Sequence, residues 1–124
     1  NEFVEIVCKD YRDFNPSIKP EIIYTSLFNH HLTDEQNVAF LNWSQLNCHK
    51  ALVINDLHRN PVAYYSIKWI AALTNTSIYF KNDAPLSVLR AFQLKDWRRY
   101  EKETGLKLRV KWNWAFRWLV IQEK

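Results

Sequence analysis

The chain has 124 residues, 48% of them hydrophobic and 15% aromatic, which is enough apolar surface for one packed domain and far too much for a disordered tail. Its 17 Lys and Arg against 13 Asp and Glu leave a net charge of +4, and no stretch reaches the roughly 18 uncharged apolar residues of a membrane helix. The first residues do not read as a signal peptide, and Cys8 and Cys48 are too few for a disulfide framework or a four-thiolate zinc site, so free thiols and cytoplasmic residence are expected.

In chain order, residues 3–9, with Phe3, Val4, Ile6 and Val7 among them, read as a strand, and 10–14 lead from it toward a turn marked by Asn15-Pro16 and Lys19-Pro20. Residues 22–26 are a short apolar run rich in β-branched side chains, the pattern of a strand buried on both faces. Thr33 stands three residues before Gln36 as a capping box, with Asp34 and Glu35 at the positive end of the helix dipole, which predicts a helix over 34–47. Residues 50–56 are the next buried strand. Asn60 then supplies a cap and Pro61 the first position of a helix that runs through Tyr64, Ile67, Ile70, Ala71 and Leu73 and ends near Asn75. Residues 77–84 fit no single pattern, and 85–92 read as a short helix or an irregular lid over a site. Leu94, Trp97 and Tyr100, set among charged residues, predict an amphipathic helix over 94–104 closed by Gly105. Leu106, Leu108, Val110, Trp112 and Trp114 alternate with Lys107, Arg109, Lys111 and Asn113, a half-exposed strand that 116–122 follow as an antiparallel partner, with the turn at 113–116.

This order of features resembles the latter half of class I S-adenosylmethionine-dependent methyltransferases. Val4-Glu5-Ile6-Val7-Cys8-Lys9-Asp10 with Phe14 is similar to the family's third-strand motif, residues 22–32 to the segment after its fourth strand, and 92–105, with Phe92 and Trp97, to the helix before its sixth. Asn55-Asp56-Leu57-His58-Arg59 and residues 81–90 resemble a bacterial subgroup of small-molecule methyltransferases near the quinone-type and polyketide-tailoring enzymes. The resemblance implies an α/β fold, a Rossmann-like methyltransferase sheet flanked by helices and ending in an antiparallel hairpin, with 1–124 as a single partial domain. It further implies S-adenosylmethionine as cofactor and methyl transfer to an aromatic or quinone-like hydroxyl of a small molecule. The family's first two strands and glycine-rich loop have no counterpart, since Gly105 is the only glycine. The working enzyme is therefore expected to be longer upstream and this chain alone inactive. Its first strand would re-pair with 22–26, swap onto another molecule or lie exposed as an edge that favours self-association.

Open α/β sheets place ligands beyond the carboxyl ends of their strands, which directs attention to 26–31 and 55–59. By the resemblance, Asp10 and the Tyr11 backbone face the adenine of the cofactor, although Asp10 also reads as a cap for the turn that follows it. Ser26, Phe28, Asn29 and His30 would line the sulfonium end and the acceptor pocket. His30 is the first candidate base and His58 the second, because an imidazole titrates near working pH. His31 reads as support for the turn before Thr33, and two adjacent histidines lack the spacing of a zinc pair, so no metal is expected. Asn55, Asp56 and Arg59 either bind the acceptor or serve the loop, with Arg59 paired to Asp56 or Asp83. Tyr64 either closes an aromatic pocket with Tyr65 or belongs to the core. Two rival functions remain: a module for non-catalytic assembly, and a nucleic-acid binder built on Lys107, Arg109, Lys111, Trp112 and Trp114. Strand alternation opposes the second by putting the cations on one face and the tryptophans on a packed other.

Overall fold

The computed structural model describes residues 4–74 and 77–124. Four strands, β1 (Ile22–Ser26), β2 (Ala51–Leu57), β3 (Arg109–Asn113) and β4 (Arg117–Glu123), form one sheet in the order β1-β2-β4-β3. β1 and β2 run parallel, joined by helix α1 (Asp34–Asn47), because a parallel pair needs a crossover between its ends. β4 is antiparallel to β2 on one side and to β3 on the other, so the last strand in the sequence lies inside the sheet. Helices α2 (Pro61–Leu73), α3 (Ile78–Arg90) and α4 (Leu94–Thr104) fill the long excursion between β2 and β3.

The helix starts follow their local chemistry. Thr33 accepts from the Gln36 amide at 3.2 Å while the Gln36 side chain accepts from the Thr33 amide at 2.9 Å, the reciprocal capping box expected of that spacing. Asn60 accepts from Val62 N–H at 2.8 Å with Pro61 at the first helical position. α4 ends on Gly105 in the left-handed conformation, φ 71°. The expected end of α2 near Asn75 lies outside the described residues; the helix itself closes at Leu73, with Thr74 as its cap.

One sheet face carries the core. Leu52 and Ile54 of β2 and Trp118 and Val120 of β4 are buried against Phe40 and Leu41 of α1 and Phe92, Trp97 and Tyr100 at and within α4. Phe92, Trp97 and Tyr100 meet ring to ring at 4.4 and 5.7 Å, and the Tyr100 hydroxyl donates to Asp34, tying α4 to the first turn of α1. The alternate residues of β2 and β4 are only half-buried.

Several expectations are corrected. Residues 4–10 form no strand and lie exposed, and Phe3 falls outside the described residues. With no partner strand among the described residues, an extended run there has nothing to saturate its backbone, and the first regular element described is a 3-10 turn, Tyr11–Asp13, whose tyrosine ring seats among Phe28, Phe40 and Trp43. β1 and β3 are the two edges of the sheet, and β1, whose composition reads as a strand buried on both faces, has Ile22 and Tyr24 more than half exposed because it pairs on one side only. Second, 78–90 is one helix, capped by the Ser77 hydroxyl, with Pro85 inside it. Third, Trp112 and Trp114 are not packed: they are 52% and 87% exposed, because β3 is an edge strand whose end runs past the core.

An added Cβ at Gly105 would meet nothing within 4 Å, so its only penalty is the left-handed backbone. Gly105→Ala is expected to cost about 1 kcal/mol in urea denaturation, and Gly105→Asn less than that.

Candidate active site

The carboxyl ends of β1 and β2 lie side by side, with Ser26 in register with Asn55. Each strand delivers one half of a buried pair. After β1 the chain makes a 3-10 turn over Asn29–His31, and its His30 Nδ1 stands 2.6 Å from Oδ1 of Asp56, near the end of β2. The His30 backbone N–H also donates to Oδ2 of Asp56 at 3.2 Å, and Leu57 N–H donates to Oδ1 at 2.7 Å. Both side chains are nearly inaccessible, 3% for His30 and 0% for Asp56. Against an ionised carboxylate, which only accepts, His30 donates from Nδ1, and in the neutral imidazole that tautomer leaves the lone pair on Nε2. The turn that presents His30 is locked from behind. Asn29 accepts from the Thr25 hydroxyl at 2.8 Å and donates to Oδ1 of Asn37 at 3.1 Å, while Asn37 donates back to the Asn29 and Thr33 carbonyls, each at 3.1 Å.

Beside this pair opens a cleft of 760 Å³, floored by His30, His31 and His58 and walled by Ile67 and Ile70 of α2, Phe80 and Val88 of α3, and the β3–β4 turn. The His31 ring leans on that of His30 at 4.0 Å between centroids. Burial lowers the pKa of His31, aided by the neighbouring His30, and burial alone lowers that of His58. His58 packs on Trp118 at 4.7 Å, and its Nδ1 is buried with no partner. Every non-glycine residue with positive φ among the described residues lines this cleft: Leu27 at 54°, Ala115 at 62° and Phe116 at 55°. Each left-handed residue of this kind costs about 1 kcal/mol or more, a cost that collects at functional positions.

A second, smaller pocket of 280 Å³ brings Asp10, Tyr11 and Phe28 together with Lys9, Arg12, Leu32 and Gln36. Asp10 caps its turn through the Arg12 amide at 2.9 Å and grips the Arg12 side chain at 2.9 and 2.6 Å, and these bonds hold its pKa down at about 2.

The remaining sequence candidates fall elsewhere. Asn29 is fully buried and touches its network, not a pocket. Asn55 donates to the Tyr24 hydroxyl at 3.4 Å from the half-buried sheet face and lines neither pocket, and Ser26 likewise stands outside both. Arg59 pairs with Asp96 at 3.1 Å rather than with Asp56 or Asp83, because its own N–H is held by the Phe92 carbonyl at the start of α4. Tyr64 meets Tyr65 edge to face at 5.3 Å outside the cleft, to which α2 presents Ala63, Ser66, Ile67 and Ile70 instead. Sequence reading missed Asn37, and it set Trp112 and Trp114 on a packed face whereas both line the cleft. Asn37 carried a signal: it shares a helical face with Phe40, Leu41 and Ser44, where an amide is out of place unless it is bonded.

No protein-family model and no curated protein matches the sequence. Solved structures do. The chain superposes on a magnesium protoporphyrin IX methyltransferase from Synechocystis, crystallised with S-adenosylhomocysteine, with a TM-score of 0.54 and 12% identity over 94% of this chain and 49% of that one. It superposes equally, at 0.54 and 15% identity, on an O-methyltransferase family 2 protein from Planctomyces limnophilus in complex with apigenin, over 88% of this chain and 32% of that one. The chain therefore spans less than half the length of these neighbours, and over that span it has the α/β methyltransferase fold: a mixed sheet flanked by helices and ending in a hairpin.

Asn37→Ala leaves the buried Asn29 amide without its acceptor and is expected to cost about 2 kcal/mol, read from urea unfolding. Because burial holds His58 and His31 below the ordinary 6.5, the folded state binds fewer protons than the unfolded one. Their contribution is complete above 6.5 and is lost as the pH falls through the folded values. The melting temperature is expected to drop between pH 7.5 and pH 5, and His58→Gln to flatten that slope.

Proposed function

We propose that this chain supplies the acceptor site and the base for S-adenosylmethionine-dependent methyl transfer to a hydroxyl of an aromatic or quinone-like small molecule. The observation that carries the reading is the buried His30–Asp56 pair, set at the carboxyl end of two parallel strands and opening on a large apolar cleft. The neighbours favour it as well, one being named for a porphyrin substrate and the other holding a flavone.

Methyl transfer to a hydroxyl needs its oxygen aligned for in-line attack and its proton removed. His30 fits the second need. With Nδ1–H committed to Asp56, Nε2 is the free basic atom, and the acceptor proton moves to it as the oxygen lone pair forms the new bond to carbon. Asp56 fixes the ring orientation and stabilises the imidazolium that results, as a carboxylate behind a catalytic histidine does. His58 has no carboxylate behind it and is held neutral by burial, so it serves the acceptor as a hydrogen-bonding wall. The apolar cleft excludes water from the developing charges.

Asp10, Tyr11 and Phe28 would hold the adenine end of the cofactor in the smaller pocket. The donor chemistry suits that role. Oδ2 of Asp10 accepts a single bond from Arg12 and keeps a lone pair for an amino group, and the Phe28 and Tyr11 rings offer apolar walls. When bound, S-adenosylmethionine supplies a methyl carbon activated by a sulfonium and departs as the neutral thioether.

Calorimetric titration of S-adenosylhomocysteine into the chain, and into a form lengthened at its N-terminus by the residues encoded upstream, tests the reading. Micromolar binding by at least one of them, weakened about tenfold by Asp10→Ala, is expected, and binding by neither overturns the proposal. In the binding form, His30→Ala should lower methyl transfer about 10²- to 10⁴-fold with cofactor affinity unchanged.

A further inference from the structure

The β3–β4 turn spends conformational energy to face the cleft. Trp114, Ala115 and Phe116 connect Asn113 to its partner Arg117, and two successive residues of this loop are left-handed without being glycine or asparagine. Tight hairpins tolerate such dihedrals most easily with Asn-Gly or Asp-Gly. The same turn leaves two indoles in solvent. Trp112 stands directly opposite Trp118 in the ladder, yet Trp118 is 7% exposed and Trp112 52%, while Trp114 is 87% exposed. Both exposed rings line the cleft that holds His30. Large aromatic side chains left at a cleft rim provide rigid contact area for a partner of like surface.

We propose that Trp112 and Trp114 form an aromatic clamp for a flat acceptor of two or more rings, whose reacting hydroxyl lies at His30. The inference rests on the reading of this cleft as the acceptor site. The volume sets the ring count. At 760 Å³ the cleft falls in the range that accommodates drug-sized ligands, and a single six-membered ring seated at the histidine floor would leave most of it empty. The lining sets the polarity. Ile67, Ile70, Phe80 and Val88 present hydrocarbon along the walls, so the body of the ligand is apolar and its polar atoms belong at the imidazole floor. The π faces of the tryptophans set the shape, since indoles stack on planar rings in offset or edge-to-face contact. The strained turn fixes the aim, because relaxing Ala115 or Phe116 to negative φ would redirect the loop that carries Trp114.

Equilibrium dialysis with two probes, a three-ring hydroxyflavone and single-ring catechol, tests the clamp on the wild-type chain and on the Trp112→Leu, Trp114→Leu double variant. The flavone is expected to bind the wild type at least tenfold more tightly than catechol, and the double variant to lose tenfold or more in flavone affinity while its affinity for catechol holds. Both indoles are largely exposed, so the variant should melt as the wild type does. Equal affinity for the two probes, no flavone binding, or flavone binding unchanged in the variant would each overturn the clamp. The proton spectrum of the same samples reports the base separately, because a His30 Nδ1 proton shared with Asp56 gives a far-downfield signal that Asp56→Asn removes. If that signal persists where flavone selectivity fails, the clamp alone is wrong; if it is missing from the wild type, the His30–Asp56 reading fails by itself.

Discussion

Asp56 is a carboxylate with no access to water, and the arrangement of the site depends on how its charge is satisfied. Removing such a group from solvent costs several kcal/mol unless donors surround it. Here three N–H groups do so: the His30 ring, the His30 backbone and Leu57. Two of the three come from the turn after β1, so the charge at the end of β2 can be met only if that turn closes over it. The sheet register and the short helical turn at Asn29–His31 are in this sense one construction. The His30 imidazole is aimed by the same bonds that compensate the buried charge.

Around that pair the structure divides its labour. On one side an amide network from Thr25 through Asn29 to Asn37 fastens the turn to the first turn of α1, where the capping box already fixes the helix start. On the other side Phe92 gathers the elements that follow. Its carbonyl takes the indole N–H of Trp118 and the amide of Arg59, and its own N–H goes to Leu57, so β2, β4 and the start of α4 converge on one peptide. The rigid half of the cleft is thus built from backbone and buried polar bonds. The other half, made by α2, α3 and the hairpin turn, has few buried side chains and most of the exposed aromatic surface.

What could be read from the sequence was whatever the local chain decides. Thr33 with Gln36, Asn60 with Pro61, and Gly105 each mark a helix boundary by chemistry that acts within four residues, and each boundary lies where that chemistry put it. The 22–26 and 50–56 strands were legible from composition within a residue of their ends, and the closing hairpin from alternation, although its first strand begins at Arg109 and not at Leu106. The failures are tertiary. Residues 4–9 have a strand's pattern but no neighbour to pair with among the described residues, and Trp112 alternates like a core residue on a strand that outruns its core. α3 was obscured by Pro85, which breaks the usual rule for helix interiors. At the site, the two histidines and Asp56 were picked out from their places at the ends of apolar strands. Their pairing was not legible, because it joins residues 26 positions apart through a turn whose pitch no local motif encodes. Asn55, Arg59 and Tyr64 were chosen for polarity near a strand end, and the alternation of the strand and the pitch of the helix turned them away.

The placement of β4 bears on the order in which the molecule can assemble. β2 is hydrogen-bonded along its whole length to β4, from Ala51 opposite Glu123 to Leu57 opposite Arg117, across an interval of more than fifty residues that contains three helices. During synthesis β1, α1 and β2 emerge before β4 and wait with one edge of β2 unpaired until β4 leaves the ribosome. Such non-local closure slows folding and lengthens the interval in which an apolar edge is open to other chains. Asp56 and Leu57 stand opposite Trp118 and Arg117, so the end of β2 that carries the His30–Asp56 pair is closed on this side only once β4 has been made.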